Sequence, residues 1–172
     1  MNPNRGLTLL ELLVTLSILT LVLTLGVPSL LSAQRNMQLK GALEVSYFAF
    51  QQARSMAISK QQDIRLVLDA SSNWCLALTA AEQCNCQLFQ DCVIDGVEYA
   101  VRGTDFHLIA LSEVKFGKQQ QAVFDGVRGL AVGNAGSTIF SDGVNRAKLI
   151  LSNMGRVRIC VLDGQVGAYP AC

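Results

Sequence analysis

The chain has 172 residues, 51% of them hydrophobic, and its 14 Lys and Arg against 13 Asp and Glu leave a formal net charge of +1. That length accommodates one membrane segment and one compact domain. The near-neutral balance excludes a globally basic nucleic-acid binder, so any anion site has to be local.

At the N-terminus stands "RGLTLLELL", Arg5 to Leu13, in which Glu11 interrupts an apolar run. Between Glu11 and Arg35 lie 23 residues without a charge. At ~1.5 Å per residue, about 20 of them span the ~30 Å hydrocarbon core of a bilayer. A carboxylate in such a segment costs roughly 2.5–3.5 kcal/mol at the centre of a span, which makes it a functional hypothesis by default. A secretory signal peptide accounts for Arg5 and offers Ala33 as a cleavage residue, but Leu31 stands where a small residue is wanted and the apolar run is too long. A signal anchor with Arg5 on the cytoplasmic side explains the orientation and leaves Glu11 without a reason.

The same stretch resembles the class III leader junction of type IV pilins and type II secretion pseudopilins. In that family a short basic leader ends in Gly, an apolar residue follows, and Glu is fifth in the mature chain. The resemblance implies that Gly6 ends the leader, that Leu7, where Phe or Met is usual, is the first mature and N-methylated residue, and that Glu11 is the fifth. Pro28 then falls where the family commonly has a helix-kinking proline. It also implies that Glu11 meets the N-terminal amine of a neighbouring subunit as helices pack into a filament, since a carboxylate in a low dielectric has to be paired.

Beyond Pro28 the pattern turns amphipathic. Leu39, Leu43, Tyr47, Phe50 and Ala57 recur near helical spacing, among Arg35, Lys40, Glu44 and Lys60. One long helix is expected, membrane-embedded at its start and packed on a soluble core at its end, with a bend at Gly26 and Pro28. From Asp63 the period drops to two. "DIRLVLD", "NWCLAL", "VEYAV", "FHLIAL", "STIFS", "RAKLILS" and "RVRICVL" read as short strands, with turns at the Asp-Gly pairs beginning at Asp95, Asp125, Asp142 and Asp163. The expected fold is α+β: a long N-terminal helix packed on an antiparallel β-sheet head.

The later chain resembles the GspH/FimT group of minor pilins and pseudopilins, through "QQARSMAISKQQDIRLVL", "NWCLAL", "FDGVRGLAVGNAGSTIFSDG" and the closing "GRVRIC…C". The resemblance implies a prepilin leader over residues 1–6, a transmembrane and assembly helix over 7–34 and a periplasmic or extracellular head over 35–172. Implied partners are the other pilins of a filament, the prepilin peptidase and the inner membrane. Membership of the group covers minor pilins of type IV pili and a GspH-like minor pseudopilin of type II secretion, which contacts pseudopilins or an exported protein.

Six cysteines, Cys75, Cys84, Cys86, Cys92, Cys160 and Cys172, form an even set. A zinc site in the cluster from 75 to 92 is disfavoured, because Cys84-Asn85-Cys86 is tighter than the usual spacing. Behind a membrane-inserted N-terminus the compartment favours oxidation, so disulfides are expected and no metal. Cys160 and Cys172 suit a loop that ties down the C-terminus, and three connectivities stay open for the other four. His107 is the one histidine, expected on a strand in the core or at the surface. No nucleophile pattern, phosphate loop or dinucleotide fingerprint accompanies it, so neither an enzyme nor a cofactor is expected.

"GRVR", Gly155 to Arg158, is the local feature with the most chemistry. On a strand from Arg156 to Leu162, Arg156 and Arg158 would project from one face ~7 Å apart, a spacing that suits successive phosphates, with Val157 and Ile159 toward the core. Arg146 and Lys148 alternate likewise on the preceding strand and extend the patch. Val144 to Cys172 holds four basic residues and one acidic one. The bland alternative is the solvated face of an edge hairpin, where charges deter aggregation. A Gly-Arg-x-Arg motif near the C-terminus resembles the one associated with DNA binding in FimT-type minor pilins that serve natural transformation. That implies non-specific DNA contact through Arg156 and Arg158.

Overall fold

The computed structural model describes residues 8–117 and 119–172. Gly6 and Leu7, the expected leader junction, lie outside the described residues.

The first element, α1, runs from Leu9 to Lys60, 52 residues with Pro28 inside it. Thr8 precedes it and its Oγ1 accepts the Glu11 N–H at 3.3 Å. "TLLE" is thus a capping-box sequence at the helix start, and Glu11 in the first turn and Lys60 in the last both suit the helix dipole. From Leu9 to Arg35 every residue except Gly26 is exposed. This part is long and apolar enough to cross a membrane. Its hydroxyls are consistent with that role: Ser17 Oγ donates to the Leu13 carbonyl at 2.8 Å and Thr20 Oγ1 to that of Leu16 at 2.8 Å, so few side-chain donors are left for lipid.

The chain divides after Arg35, and Asn36–Cys172 forms a compact unit of its own. Within it the helix buries Leu39, Ala42, Leu43, Ser46, Ala49, Phe50, Ala53 and Ala57, a stripe at spacings of three and four. Among the described residues nine strands follow: β1 (Ile64–Asp69), β2 (Cys75–Thr79), β3 (Val93–Ile94), β4 (Val97–Arg102), β5 (Ala110–Phe116), β6 (Gln121–Phe124), β7 (Gly136–Ser141), β8 (Arg146–Leu151) and β9 (Val157–Asp163). They make a five-stranded sheet in the order β3-β4-β2-β1-β6 and a four-stranded sheet in the order β5-β7-β8-β9. Every pairing between these strands is antiparallel.

The core joins the helix stripe to both sheets. Trp74 is buried between Phe106, stacked at 6.1 Å, and Phe140, edge-on at 5.5 Å, and its Nε1 donates to the Ile109 carbonyl at 2.7 Å. Strand β2 is buried on both faces. Leu76 and Leu78 enter the main core, while Cys75 and Ala77 lie under the loop that carries Cys84, Cys86 and Cys92. Disulfides join Cys75 to Cys86, Cys84 to Cys92 and Cys160 to Cys172. All residues of both hydrophobic clusters lie between Leu39 and Tyr169. The head therefore has its core and its cross-links within itself, with no contribution to either from Leu9–Arg35.

Local chemistry explains where the strands fall. Asp95 and Gly96 both have positive φ, 52° and 76°, giving the two-residue turn that joins β3 to β4. "FHLIAL" is not one strand. Phe106 to Leu108 form a turn, closed by the Ile109 N–H on the Phe106 carbonyl at 2.9 Å, and β5 begins at Ala110. His107 is accordingly an exposed turn residue, because Trp74 holds the Ile109 carbonyl and draws the chain inward there.

Candidate nucleic-acid interface

The hairpin between β8 and β9 sets the position of the two arginines. The Gly155 N–H donates to the Ser152 carbonyl at 2.9 Å and the Ser152 N–H to the Arg156 carbonyl at 3.0 Å. The Arg156 N–H donates to Ser152 Oγ at 3.2 Å. With Gly155 at φ +72°, this is the pattern of a three-residue hairpin loop ending in a left-handed glycine. Arg156 thus closes the turn and stands just outside β9, which begins at Val157. The strand geometry expected from Arg156 onward is displaced by one residue, since the turn takes Arg156 for its closing pair.

Arg156 and Arg158 are both exposed and Val157 between them is buried. Arg158 faces Ile150 across the ladder and Lys148 faces Cys160. These positions lie on the outer face of the four-stranded sheet. Among the described residues, no carboxylate lies within ion-pair distance of Arg156, Arg158 or Lys148. Arg146 differs: it faces Asp163, and its guanidinium lies 3.1 Å from that carboxylate and 3.5 Å from Glu113. The Glu113 carboxyl sits below its ordinary range, first through a hydrogen bond from Lys115 and then through the charges of Lys115, Arg146 and Lys148. The outer face therefore carries positive charge already answered near Arg146 and unanswered near Arg156 and Arg158.

A second loop meets this hairpin. The Ala131 N–H donates to the Asn153 carbonyl at 2.9 Å, and the Gly129 carbonyl lies against Gly155. Asp125 organises that loop: its carboxylate accepts the N–H groups of Arg128 at 2.7 Å, Val127 at 3.0 Å and Leu130 at 2.7 Å. These bonds, the one from Arg128 first, hold the Asp125 carboxyl below its usual range. From α1, Arg54 Nε donates to the Gly129 carbonyl at 3.1 Å. Arg54 and Arg128 escaped the sequence reading, since each sits alone in its segment and only the tertiary fold brings them to the hairpin.

Residues 1–27 match the family model described as the prokaryotic N-terminal methylation motif, and residues 47–155 match that of the type II transport protein GspH. The second match covers more than half of the chain. The protein belongs to the GspH family. No curated protein and no solved structure gives a significant match.

As a GspH-family member with an N-methylation motif, the protein is of the type IV pilin and pseudopilin class, whose members are structural proteins. They assemble with other pilins or pseudopilins and are processed by the prepilin peptidase. The motif and the long apolar helix fit anchoring in the inner membrane. The long helix and antiparallel head are the α+β fold of that class. The GspH match ends at Gly155, so Arg156 and Arg158 lie just beyond it. Membership by itself assigns them nothing.

Proposed function

We propose that the protein is a minor type IV pilin that sits near the pilus tip, assists assembly and binds DNA non-specifically for uptake in natural transformation. In this reading the leader, residues 1–6, is removed between Gly6 and Leu7, and Leu7 is N-methylated. Residues 7–34 insert in the inner membrane, with Pro28 as a bend, and Glu11 draws the subunit into the filament by pairing with a neighbour's N-terminus. Residues 35–172 form the head, periplasmic first and then on the pilus surface. The observation that carries the DNA reading is the exposure of Arg156 and Arg158 on the hairpin with, among the described residues, no carboxylate at ion-pair distance. A solvated, unneutralised Arg pair suits the phosphodiester backbone, which guanidinium groups bind bidentately. Lys148 adds to the patch, and Arg146 contributes less because Asp163 and Glu113 occupy it.

One finding favours a second reading. The family matched over residues 47–155 is named for type II transport, which supports a minor pseudopilin whose head contacts other pseudopilins or an exported protein. Replacing the native chain by Arg156→Gln/Arg158→Gln in the producing cell separates the two. The pilin reading expects pili in normal number with DNA uptake lost. Intact uptake together with a defect in secretion of exported proteins would overturn it in favour of the pseudopilus.

A further inference from the structure

The loop from Asp125 to Ala131 and the hairpin turn from Ser152 to Arg156 run side by side in opposite directions. Ala131 bonds to Asn153, and two residues back along the loop and two forward along the hairpin Gly129 abuts Gly155. Arg128 precedes Gly129 in the loop and Arg156 follows Gly155 in the hairpin. Into the same seam α1 sends a third cation, Arg54, whose Nε is held on the Gly129 carbonyl at 3.1 Å. A guanidinium has five N–H donors, and among the described residues Arg54 spends one of them.

The acidic residues that border this seam are turned to other tasks. The Asp125 carboxylate is engaged with three backbone N–H groups of its own loop, and Asp63 Oδ1 accepts the Gly126 N–H at 3.1 Å. Neither forms an ion pair with Arg54, Arg128 or Arg156. Arginines from three separate segments are thus carried on backbone that meets at, or reaches, the Gly129–Gly155 contact, with a fourth, Arg158, two residues along the hairpin.

We propose that Arg54 and Arg128 belong to the same phosphate-binding surface as Arg156 and Arg158, so that one nucleic-acid strand crosses the Gly129–Gly155 seam with its phosphates on both sides. This rests on the reading of the head as a DNA binder and changes the footprint from two contacts on one strand to about four spanning the seam. Arg54 is the pre-organised member, half-buried and tethered, while Arg128 and Arg156 are exposed. The recognition is of phosphodiester charge, so it carries no base preference.

The test is fluorescence anisotropy of a labelled duplex with the oxidised head, residues 36–172, over a range of NaCl concentrations. Each phosphate contact contributes about 0.9 to the slope of log K against log salt on duplex DNA, so four contacts give a slope near −3.6 and two near −1.8. Arg128→Gln is expected to weaken binding several-fold at low salt, alike for unrelated duplexes, and to flatten the slope by about 0.9. Arg54→Gln is expected to do the same, and Arg54→Lys, which keeps the charge, to restore part of the affinity. Arg128 is exposed and bonds to the loop through its backbone N–H, which Arg128→Gln leaves in place, so this variant carries the test should the Arg54 variants melt early. If Arg128→Gln leaves affinity and slope at parent values while Arg156→Gln/Arg158→Gln abolishes binding, this inference is wrong and the DNA reading stands. If the parent head does not bind at any salt, the DNA reading falls and this inference with it.

Discussion

The carbonyl oxygen of Gly129 accepts a 3.1 Å hydrogen bond from Arg54 Nε, and the same oxygen lies where a side chain on Gly155 would have to go. One backbone atom therefore joins the helix, the Asp125 loop and the β8–β9 hairpin. The hairpin ends in Arg156, so the direction in which the arginine pair is presented depends on this three-way contact.

Gly155→Ala is expected to break it. The residue would be held at φ +72° with its Cβ against the Gly129 carbonyl. Strain of this kind costs about 1–3 kcal/mol, and thermal unfolding of the head should show it as a lower midpoint. An unchanged midpoint would mean that the turn is free to move away from Gly129.

Ser46 lies wholly buried on α1, and its Oγ is without a hydrogen-bond partner among the described residues. A buried hydroxyl in that condition is a net cost, and Ala is also the better helix former. Ser46→Ala should raise the stability of the head by about 1 kcal/mol in urea unfolding. A loss of stability would point to a bond made by that hydroxyl.

The disulfide between Cys160 and Cys172 closes a short loop, 12 residues apart in sequence, and holds the end of the chain beside β9. There the Cys172 N–H donates to the Val161 carbonyl at 2.9 Å. Replacing both cysteines by Ser should cost roughly 2–3 kcal/mol and leave the last residues open to carboxypeptidase. Equal resistance of parent and variant to the peptidase would show that the backbone bonds suffice.

Acid should unfold the head late. Among the described residues four carboxyl groups sit below their ordinary range in the folded state: Asp69 chiefly through a hydrogen bond from Gln87, Glu113 chiefly through a hydrogen bond from Lys115, Asp125 chiefly through the Arg128 N–H, and Asp142, where Asn145 and the Val144 N–H outweigh burial. A carboxyl whose folded value is depressed contributes stability that is complete above its unfolded value and lost as pH falls through the folded one. The melting midpoint should show no loss from these groups down to about pH 4, the ordinary carboxylate range, and fall below it. Loss of stability already between pH 7 and 5 would mean that other groups govern it.

Much of the fold is written in local pattern. The helical stripe from Leu39 to Ala57, most of the period-two segments and the Asp95-Gly96 turn depend on neighbours in sequence, and they lie close to where spacing places them. Strands β3 and β6 were not legible, because two and four residues carry too little periodicity to stand apart from their loops. "FHLIAL" misled for a different reason: Trp74, thirty-five residues before Ile109, captures its carbonyl, and no local rule announces that bond. Within the basic surface, Arg156 and Arg158 were visible as a motif. The ion pairs that occupy Arg146, and the approach of Arg54 and Arg128, come from strand register and loop packing, which a single sequence does not display.

The most direct measurement of the central claim is DNA binding by the oxidised head, parent against Arg156→Gln/Arg158→Gln, at several salt concentrations. The expected result is a parent that binds unrelated duplexes alike and tightens as salt falls, and a folded double variant that binds far more weakly and with a flatter salt slope. A double variant that binds as the parent does, or a parent that fails to bind even at low salt, would contradict it.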